Sequence, residues 1–116
     1  VAAAAGRLTF DLADYSAVHM LDNTIYPAEI KNGFLQADLD KDNFVMRLDV
    51  LSPRIVEREF IFAAGSINNV GQMNSEALVS NAQAFGFIDT QKHNAGLLFD
   101  KSLSPTSHLT GVTLWK

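Results

Sequence analysis

The fold is decided by residues 32–51, which read NGFLQADLDKDNFVMRLDVL. We predict a hairpin here, with a strand over residues 33–39, a polar turn at 40–43 and a long strand over 44–50. Apolar and polar side chains alternate along the second strand, as they do in a strand with one buried face. The first strand carries a matching apolar face at Leu35, Ala37 and Leu39.

Strands are also predicted on the N-terminal side of this hairpin. Residues 7–12 and 24–31 read as strands, whereas residues 13–21 fit either a strand or a short helix. Pro27 lacks a backbone N–H, so we do not expect it in a central, fully paired position. Asn32-Gly33 predicts a two-residue hairpin turn, because both residues tolerate the positive φ that such a turn requires.

On the C-terminal side, strands are predicted over residues 54–64, 83–88, 95–99 and 109–115. The first of these would place on one face Val56, Arg58, Phe60, Phe62 and Ala64. Gly86 and Gly96 fall inside predicted strands, where glycine marks a sharp bend or a close backbone approach. Residues 101–108 are predicted to form a loop.

The whole pattern predicts a single all-β domain over residues 1–116. About seven to nine short strands, with turns every eight to twelve residues, are typical of a single antiparallel β-barrel or closed β-sandwich. A chain of 116 residues is long enough to give one such domain its own core. Because the sequence starts at Val1 and not at a methionine, we expect a domain excised from a longer protein.

Composition argues against several functions. The formal net charge is −4 and the basic residues are scattered, so nucleic-acid binding, which needs a basic stripe, is not expected. No apolar run approaches the length of a membrane-spanning helix. The sequence has no cysteine, which excludes disulfides, thiolate metal sites and cysteine nucleophiles.

The acidic stretch at the hairpin turn is the strongest candidate for a metal site. Asp38, Asp40 and Asp42 place oxygens at alternate positions, as a calcium loop does. However, Asn43 stands where such a loop needs glycine, and Asp49 stands where it needs a bidentate glutamate. We therefore favour a solvated hairpin turn and predict no metal and no cofactor.

No arrangement of residues predicts an active site. His19, His93 and His108 are far apart in the sequence, and no nucleophile elbow supports Ser-His-Asp catalysis. Glu57 and Glu59 would form a carboxylate pair on one strand face, but an exposed face is the simpler interpretation. We predict that the domain is not an enzyme.

Aromatic and arginine side chains are the remaining candidates for ligand contacts. Most of the aromatic residues are core candidates, but in a closed sheet some could line a cavity for an apolar or aromatic ligand. They are Phe34, Phe44, Phe60, Phe62, Phe85, Phe87, Phe99 and Trp115. Arg47 and Arg58 fall within predicted strands, where each would pair with a carboxylate or contact an anion, and we favour the pair.

Several short motifs beyond residue 32 follow the pattern of a known family. They are GFLQADLDKDNFVMRLDV (33–50), FAAGSI (62–67), GFI (86–88), AGLLF (95–99) and LTGVTLW (109–115). In these motifs the chain resembles the C-terminal β-domain of FecR-type proteins, the ferric-citrate-type regulators of cell-surface signalling. It is also similar, more loosely, to the small β-barrels of transferrin-binding-protein-like surface lipoproteins.

The resemblance implies a periplasmic or cell-envelope location and a role in signalling or in regulating iron transport. It implies no catalytic residues. We therefore expect a non-catalytic sensing domain with a filled interior, which contacts another envelope protein through an unpaired strand edge or an apolar patch. The alternative is a small barrel that carries a small apolar or iron-related ligand, as a lipocalin-like carrier or surface lipoprotein would, and this requires an open, aromatic-lined mouth.

Overall fold

A computed structural model describes residues 6–116, and these residues form an all-β domain. Within that range it has nine strands and one short 3₁₀ helix, Ala77–Val79. The strands are β1 (Arg7–Phe10), β2 (Leu12–Leu21), β3 (Thr24–Asp38), β4 (Asn43–Leu51), β5 (Glu59–Ile67), β6 (Gln72–Ser75), β7 (Gln83–Asp89), β8 (Asn94–Ser104) and β9 (Ser107–Trp115).

The strands form one antiparallel sheet that closes on itself. From β2 to β9 each strand pairs with the next one along the chain, and β9 returns to pair with β2. β1 precedes β2 and pairs with the second half of β3, from Arg7 opposite Asp38 to Phe10 opposite Leu35. The predicted fold class, an antiparallel barrel or closed sandwich, is confirmed.

Alternate side chains of the strands fill the inside of the closed sheet. In β4 the buried side chains are Phe44, Met46, Leu48 and Val50, while Arg47 between them is exposed. Other strands add buried side chains, among them Phe10, Leu35, Ile61, Met73, Leu97, Phe99, Leu109 and Trp115. Burying one Leu, Ile, Phe or Met side chain contributes about 1.5–3 kcal/mol, so the period-2 pattern stabilises the closed form of the sheet.

Trp115 anchors the seam between β2 and β9. Its side chain is fully buried, and Leu12 lies opposite it on β2. The indole Nε1 donates to Thr113 Oγ1 at 2.7 Å, and that hydroxyl donates to the backbone oxygen of Leu97 on β8 at 2.8 Å. Both buried polar groups therefore have partners, as buried tryptophan and threonine side chains require.

The hairpin of residues 33–50 is confirmed, but the turn predicted at Asn32-Gly33 is wrong. β3 runs through both residues, and its register against β4 shifts between Lys31 and Phe34, as it does at a β-bulge. Asn32 has a φ of 56°, so the positive φ that suggested a turn is used by the bulge. Residues on both sides of the bulge pair with β4, and the chain cannot reverse there.

The segment that fitted a strand or a helix, residues 13–21, is a strand and lies in β2. It pairs with β3 on one side and with β9 on the other. Pro27 lies opposite Val18 of β2, whereas the pairing of β3 with β4 begins only at Glu29. The prediction for Pro27 is confirmed, because β3 has one strand neighbour at that level.

The strand predicted at residues 54–64 starts later and faces the other way. β5 begins at Glu59, its buried residues include Ile61 and Ala63, and Phe60 is 48% exposed. The register with β4 explains the reversal, because Ile61 lies opposite Leu48, which faces the inside. Phe60 and Phe62, the large aromatic side chains of this strand, had suggested that the opposite face is the buried one.

The strands at residues 83–88 and 95–99 are confirmed as β7 and the first half of β8. The loop predicted over residues 101–108 is wrong, because β8 continues to Ser104 and β9 starts at Ser107. The mostly polar sequence of this hairpin contains one inward apolar residue, Leu103, which packs against the core and extends the strand.

Of the two features predicted for the strand glycines, a sharp bend or a close backbone approach, the close approach is found at Gly86 and is absent at Gly96. A Cβ added to Gly86 would lie 1.8 Å from the backbone oxygen of Gly96. A Cβ added to Gly96 would meet as its nearest atom Leu114 Cδ2, at an ordinary 3.6 Å. On the inner face at Gly86, the backbones of the paired strands β7 and β8 therefore lie too close together to leave room for a side chain.

Replacing Gly86 by alanine is expected to lower the free energy of unfolding by roughly 3 kcal/mol or more, because the strand backbone in its way cannot move aside. Gly96→Ala is the matched control and should change the free energy of unfolding by less than about 1 kcal/mol. Urea denaturation of both variants measures the difference. Equal stabilities would contradict the close approach at Gly86.

Candidate binding surfaces

The acidic hairpin turn is organised by Asp38. Its Oδ1 accepts the backbone N–H groups of Asp40 at 3.1 Å and Lys41 at 3.2 Å, and its Oδ2 lies 3.6 Å from Arg7 Nε. Asp42 has a φ of 55° in the same turn. Asp38 thus organises the backbone of the turn. Within residues 6–116, no group of three or more His, Asp or Glu side chains is arranged to hold a metal ion.

The three histidines lie at separate places in the fold. His93, in the turn between β7 and β8, stacks on Phe10 with ring centroids 4.3 Å apart. His108 on β9 has its Nδ1 3.8 Å from Asp100 Oδ1. His19 on β2 is buried. Each histidine has different neighbours, so the three do not share a site.

The buried His19 is held between two serine hydroxyls. Its Nδ1 lies 3.0 Å from Ser52 Oγ, and its Nε2 lies 2.8 Å from Ser107 Oγ. A neutral imidazole donates from one nitrogen and accepts at the other, and a hydroxyl can serve either one. The cluster therefore ties β2 to the end of β4 and to the start of β9 with every ring nitrogen satisfied.

Replacing Ser107 by alanine should lower the free energy of unfolding by about 1–3 kcal/mol, because a ring nitrogen of His19 would stay buried without a partner. Ser16 is exposed on the same strand as His19, and Ser16→Ala should stay within about 0.5 kcal/mol of the parent. Thermal unfolding of the two variants compares them. If Ser107→Ala were as stable as Ser16→Ala, the buried cluster would contribute nothing to the fold.

Glu57 and Glu59 do not share a strand face. Glu57 is exposed in the connection before β5. Glu59 belongs to β5, and its Oε1 accepts a hydrogen bond from Lys101 Nζ on β8. The shared face predicted for the two glutamates was wrong, since β5 does not extend back to Glu57.

The two arginines have different partners. Arg58 Nη1 lies 3.2 Å from Asp49 Oδ2, so the carboxylate pair favoured for Arg58 is confirmed, although Arg58 precedes β5. Arg47 instead lies over the ring of Phe34, with its Cζ 4.4 Å from the ring centroid. This cation–π contact between adjacent strands takes the place of the carboxylate pair predicted for Arg47.

Only some of the predicted core aromatics are inside. Phe44, Phe99 and Trp115 are buried, while Phe85 and Phe87 of β7 are 53% and 61% exposed. The inward positions of β7 are occupied by Ala84, Gly86 and Ile88. Because the backbone of β8 leaves no room for a side chain on the inner face at Gly86, the aromatic side chains of this strand occupy its outward positions.

Five large side chains form a contiguous apolar surface on the outside of β7, β8 and β9. We call it the apolar patch, and its members are Phe85, Phe87, Leu98, Val112 and Leu114, each 41–61% exposed. Phe85 lies opposite Leu98, which lies opposite Val112, and Gly96 lies between Phe87 and Leu114 in the same way. Directly opposed residues of antiparallel strands share a face and touch, so the five side chains adjoin one another.

Polar residues border the apolar patch on both sides. On β6 they are Gln72 and Asn74, and on β2 they are Asp14 and Ser16. Gly96 has no side chain, and a hollow of about 410 Å³ lies over it between Phe87 and Leu114, with Asp89 and Lys116 also in its lining. An apolar centre with a polar rim is the usual composition of a protein interface.

The apolar patch was missed by the sequence analysis, although one signal of it was present. In QAFGFI, residues 83–88, phenylalanine alternates with alanine and glycine. Phenylalanine on one face, against alanine and glycine on the other, indicates a strand whose larger side chains can face outwards. The contributions of Leu98, Val112 and Leu114 could be recognised only once the strands were paired.

Comparisons with protein-family models, with curated proteins and with solved structures return no match for this chain. The resemblance to FecR-type and transferrin-binding-protein-like domains therefore stays a prediction. Among residues 6–116, no helix has the length and apolar character needed to cross a membrane.

Proposed function

We propose that this domain is a non-catalytic protein-binding module and that the apolar patch is its contact surface. One observation carries the proposal: five large apolar side chains from three adjacent strands adjoin one another on the outside of the sheet. Soluble monomers rarely expose contiguous apolar surface beyond a few hundred Å², and larger patches mark interaction sites.

The residues of the apolar patch are of the kind that protein interfaces use. Phe85 and Phe87 offer large rigid rings, and aromatic residues are enriched at interface centres. The five residues of the patch carry no charge, and Gln72, Asn74, Asp14 and Ser16 surround them. A partner would bury the apolar centre and leave these polar side chains in contact with water.

The cellular setting we propose is the periplasm or cell envelope, with another envelope protein as partner. Support for this part comes from the sequence motifs that resemble FecR-type C-terminal domains, for which we expect a role in cell-surface signalling and iron-transport regulation. The net charge of −4 argues against nucleic acid as the partner.

A second candidate function is the binding of a small apolar or iron-related ligand. The observation that favours it is the hollow of about 410 Å³ over Gly96, since ligand pockets usually measure about 300–1,000 Å³. It is the weaker candidate, because the aromatic residues inside the sheet, such as Phe44 and Phe99, are packed in the core and do not line an open mouth.

Photocrosslinking tests the protein-binding function. A photoreactive phenylalanine analogue at position 87, in the full-length protein in cells that naturally produce it, should give a covalent adduct with another envelope protein. The same group at Asn23, in the exposed turn between β2 and β3, should give none. The double variant Phe87→Ser/Leu114→Ser should weaken binding of the captured partner by at least about tenfold, since buried aromatic anchors dominate interface energies. Absence of an adduct from positions 85, 87 and 114 would contradict the proposal.

A thermal-shift panel separates the two candidate functions. We expect no change in Tm with calcium, zinc, ferric citrate, haem or lipids. A ligand at about a hundred times its Kd would add about 2.7 kcal/mol, which is roughly 11 °C for a domain of this size. A shift of that size with one compound, lost in Gly96→Leu, which fills the hollow, would favour the carrier function.

A further inference from the structure

The ring of strands has a gap beside the first half of β5. β6 pairs with β5 only from Gly65 to Ile67. β7 pairs with β8 only as far as Gln83 opposite Asp100, although β8 continues to Ser104. At this end of the sheet, β5 and β8 therefore face each other without a strand between them among the described residues. We call residues 76–82, which cover the gap, the strap.

Asn81 of the strap imitates a neighbouring strand. Its backbone N–H donates to Phe62 O at 2.9 Å, and its side-chain Oδ1 accepts the N–H of Phe62 at 2.7 Å. Its Nδ2 donates to Phe60 O at 2.9 Å. One residue thus supplies the donor and acceptor groups that the backbone of an adjacent strand would supply.

Two more residues of the strap satisfy the next position of β5. Ser80 Oγ accepts the N–H of Ala64 at 3.0 Å and donates to Ala64 O at 3.1 Å. The N–H of Glu76 donates to the same oxygen at 2.8 Å. The backbone groups that Phe60, Phe62 and Ala64 direct to the gap are therefore groups that would pair with a neighbouring strand. Some of their hydrogen-bond partners are side chains of the strap.

Most side chains of the strap are exposed. Its 3₁₀ helix has no buried residue, Leu78 is 100% exposed and Val79 is 53% exposed. A hollow of about 530 Å³ lies between the strap and β8, lined in part by Ser80, Asn81 and Lys101. Segments with few buried apolar contacts open at low free-energy cost, so the strap is the part of this wall most easily displaced.

The gap is about one strand wide. Lys101 Nζ of β8 donates to Glu59 and also to Phe60 O at 3.3 Å, both on β5. One lysine side chain therefore bridges the two strands. Strands separated by one intervening strand lie roughly 10 Å apart, which is within that reach. A single extended chain fits such a gap, whereas a second folded copy of the domain does not.

We propose that an extended segment of a partner protein enters this gap, displaces the strap and adds as a strand to the free edge of β5. The inference rests on the proposed function, that the domain binds proteins, and it specifies how part of the partner is held. Residues of the segment that face outwards would pack beside Phe60 and Phe62, whose rings stack 6.4 Å apart, so alternate apolar residues are expected there. The inward residues would meet Lys101 and Glu59, which favours polar ones.

Amide exchange of the free protein, followed by NMR, tests whether the strap opens. The N–H groups of Phe62 and Ala64 bond to the strap, whereas alternation along the strand turns those of Ile61 and Ala63 to β4. Exchange should be at least tenfold faster at Phe62 and Ala64 than at Ile61 and Ala63. Equal protection at all four positions would overturn the proposal.

Selection from a displayed library of random peptides tests what enters the gap. Peptides selected on the intact domain should alternate apolar and polar residues, and on binding they should slow exchange at Phe62 and Ala64. They should bind the double variant Ser80→Ala/Asn81→Ala at least tenfold more tightly, because the competing strap is weakened. The matched control, Asn69→Ala/Thr90→Ala, changes two exposed polar residues outside the strap and should leave the affinity unchanged.

The outcomes distinguish this inference from the proposed function itself. If the double variant does not fold, the single variant Asn81→Asp, which loses the bond to Phe60 O, carries the same comparison. Peptides whose binding depends on Phe87 and leaves exchange at Phe62 and Ala64 unchanged would support the apolar patch and overturn strand addition. Failure to select any peptide, or equal affinity for the intact domain and the strap variants, would also overturn it.

Discussion

The pairing of β2 with β9 is the interaction on which the rest of the structure depends. It joins Leu12 to Trp115, near the two ends of the described chain, and it converts a row of hairpins into a closed sheet. Closing so long a loop is entropically costly and is slow compared with forming the local hairpins. In return, the ring leaves few strand edges open to unwanted pairing and encloses one apolar core.

How far the sequence predicts this fold depends on where the large side chains lie. In β4 the inward residues, among them Phe44 and Met46, are also the large apolar ones, so period-2 alternation identified both the strand and its buried face. In β5 and β7 the large aromatics face outwards, and the inward face cannot be identified without knowing the register of the neighbouring strand. At Asn32 the local preference for positive φ was recognised, but a turn and a bulge use it equally well.

The candidate binding surfaces were hidden for the same reason. Each of the strands β7, β8 and β9 contributes one or two residues to the apolar patch, and only Phe85 and Phe87 stand out in their own segment. Asn81 reads as an ordinary loop residue until the missing neighbour of β5 is known. The fold and the proposed function are nevertheless linked by one constraint: the close approach of β7 to β8 leaves no room for an inward side chain at Gly86, and the rings of Phe85 and Phe87 lie on the outside.

Trp115 gives the domain a further property. It is the single tryptophan of the chain, and its indole is fully buried at the seam between β2 and β9, with its N–H bonded to Thr113. The fluorescence of this protein therefore comes mainly from the place where the ring closes, far along the sheet from the strap. Its emission wavelength reports directly whether β2 and β9 are paired. Tryptophan fluorescence therefore distinguishes the closed sheet from the open one without an added label.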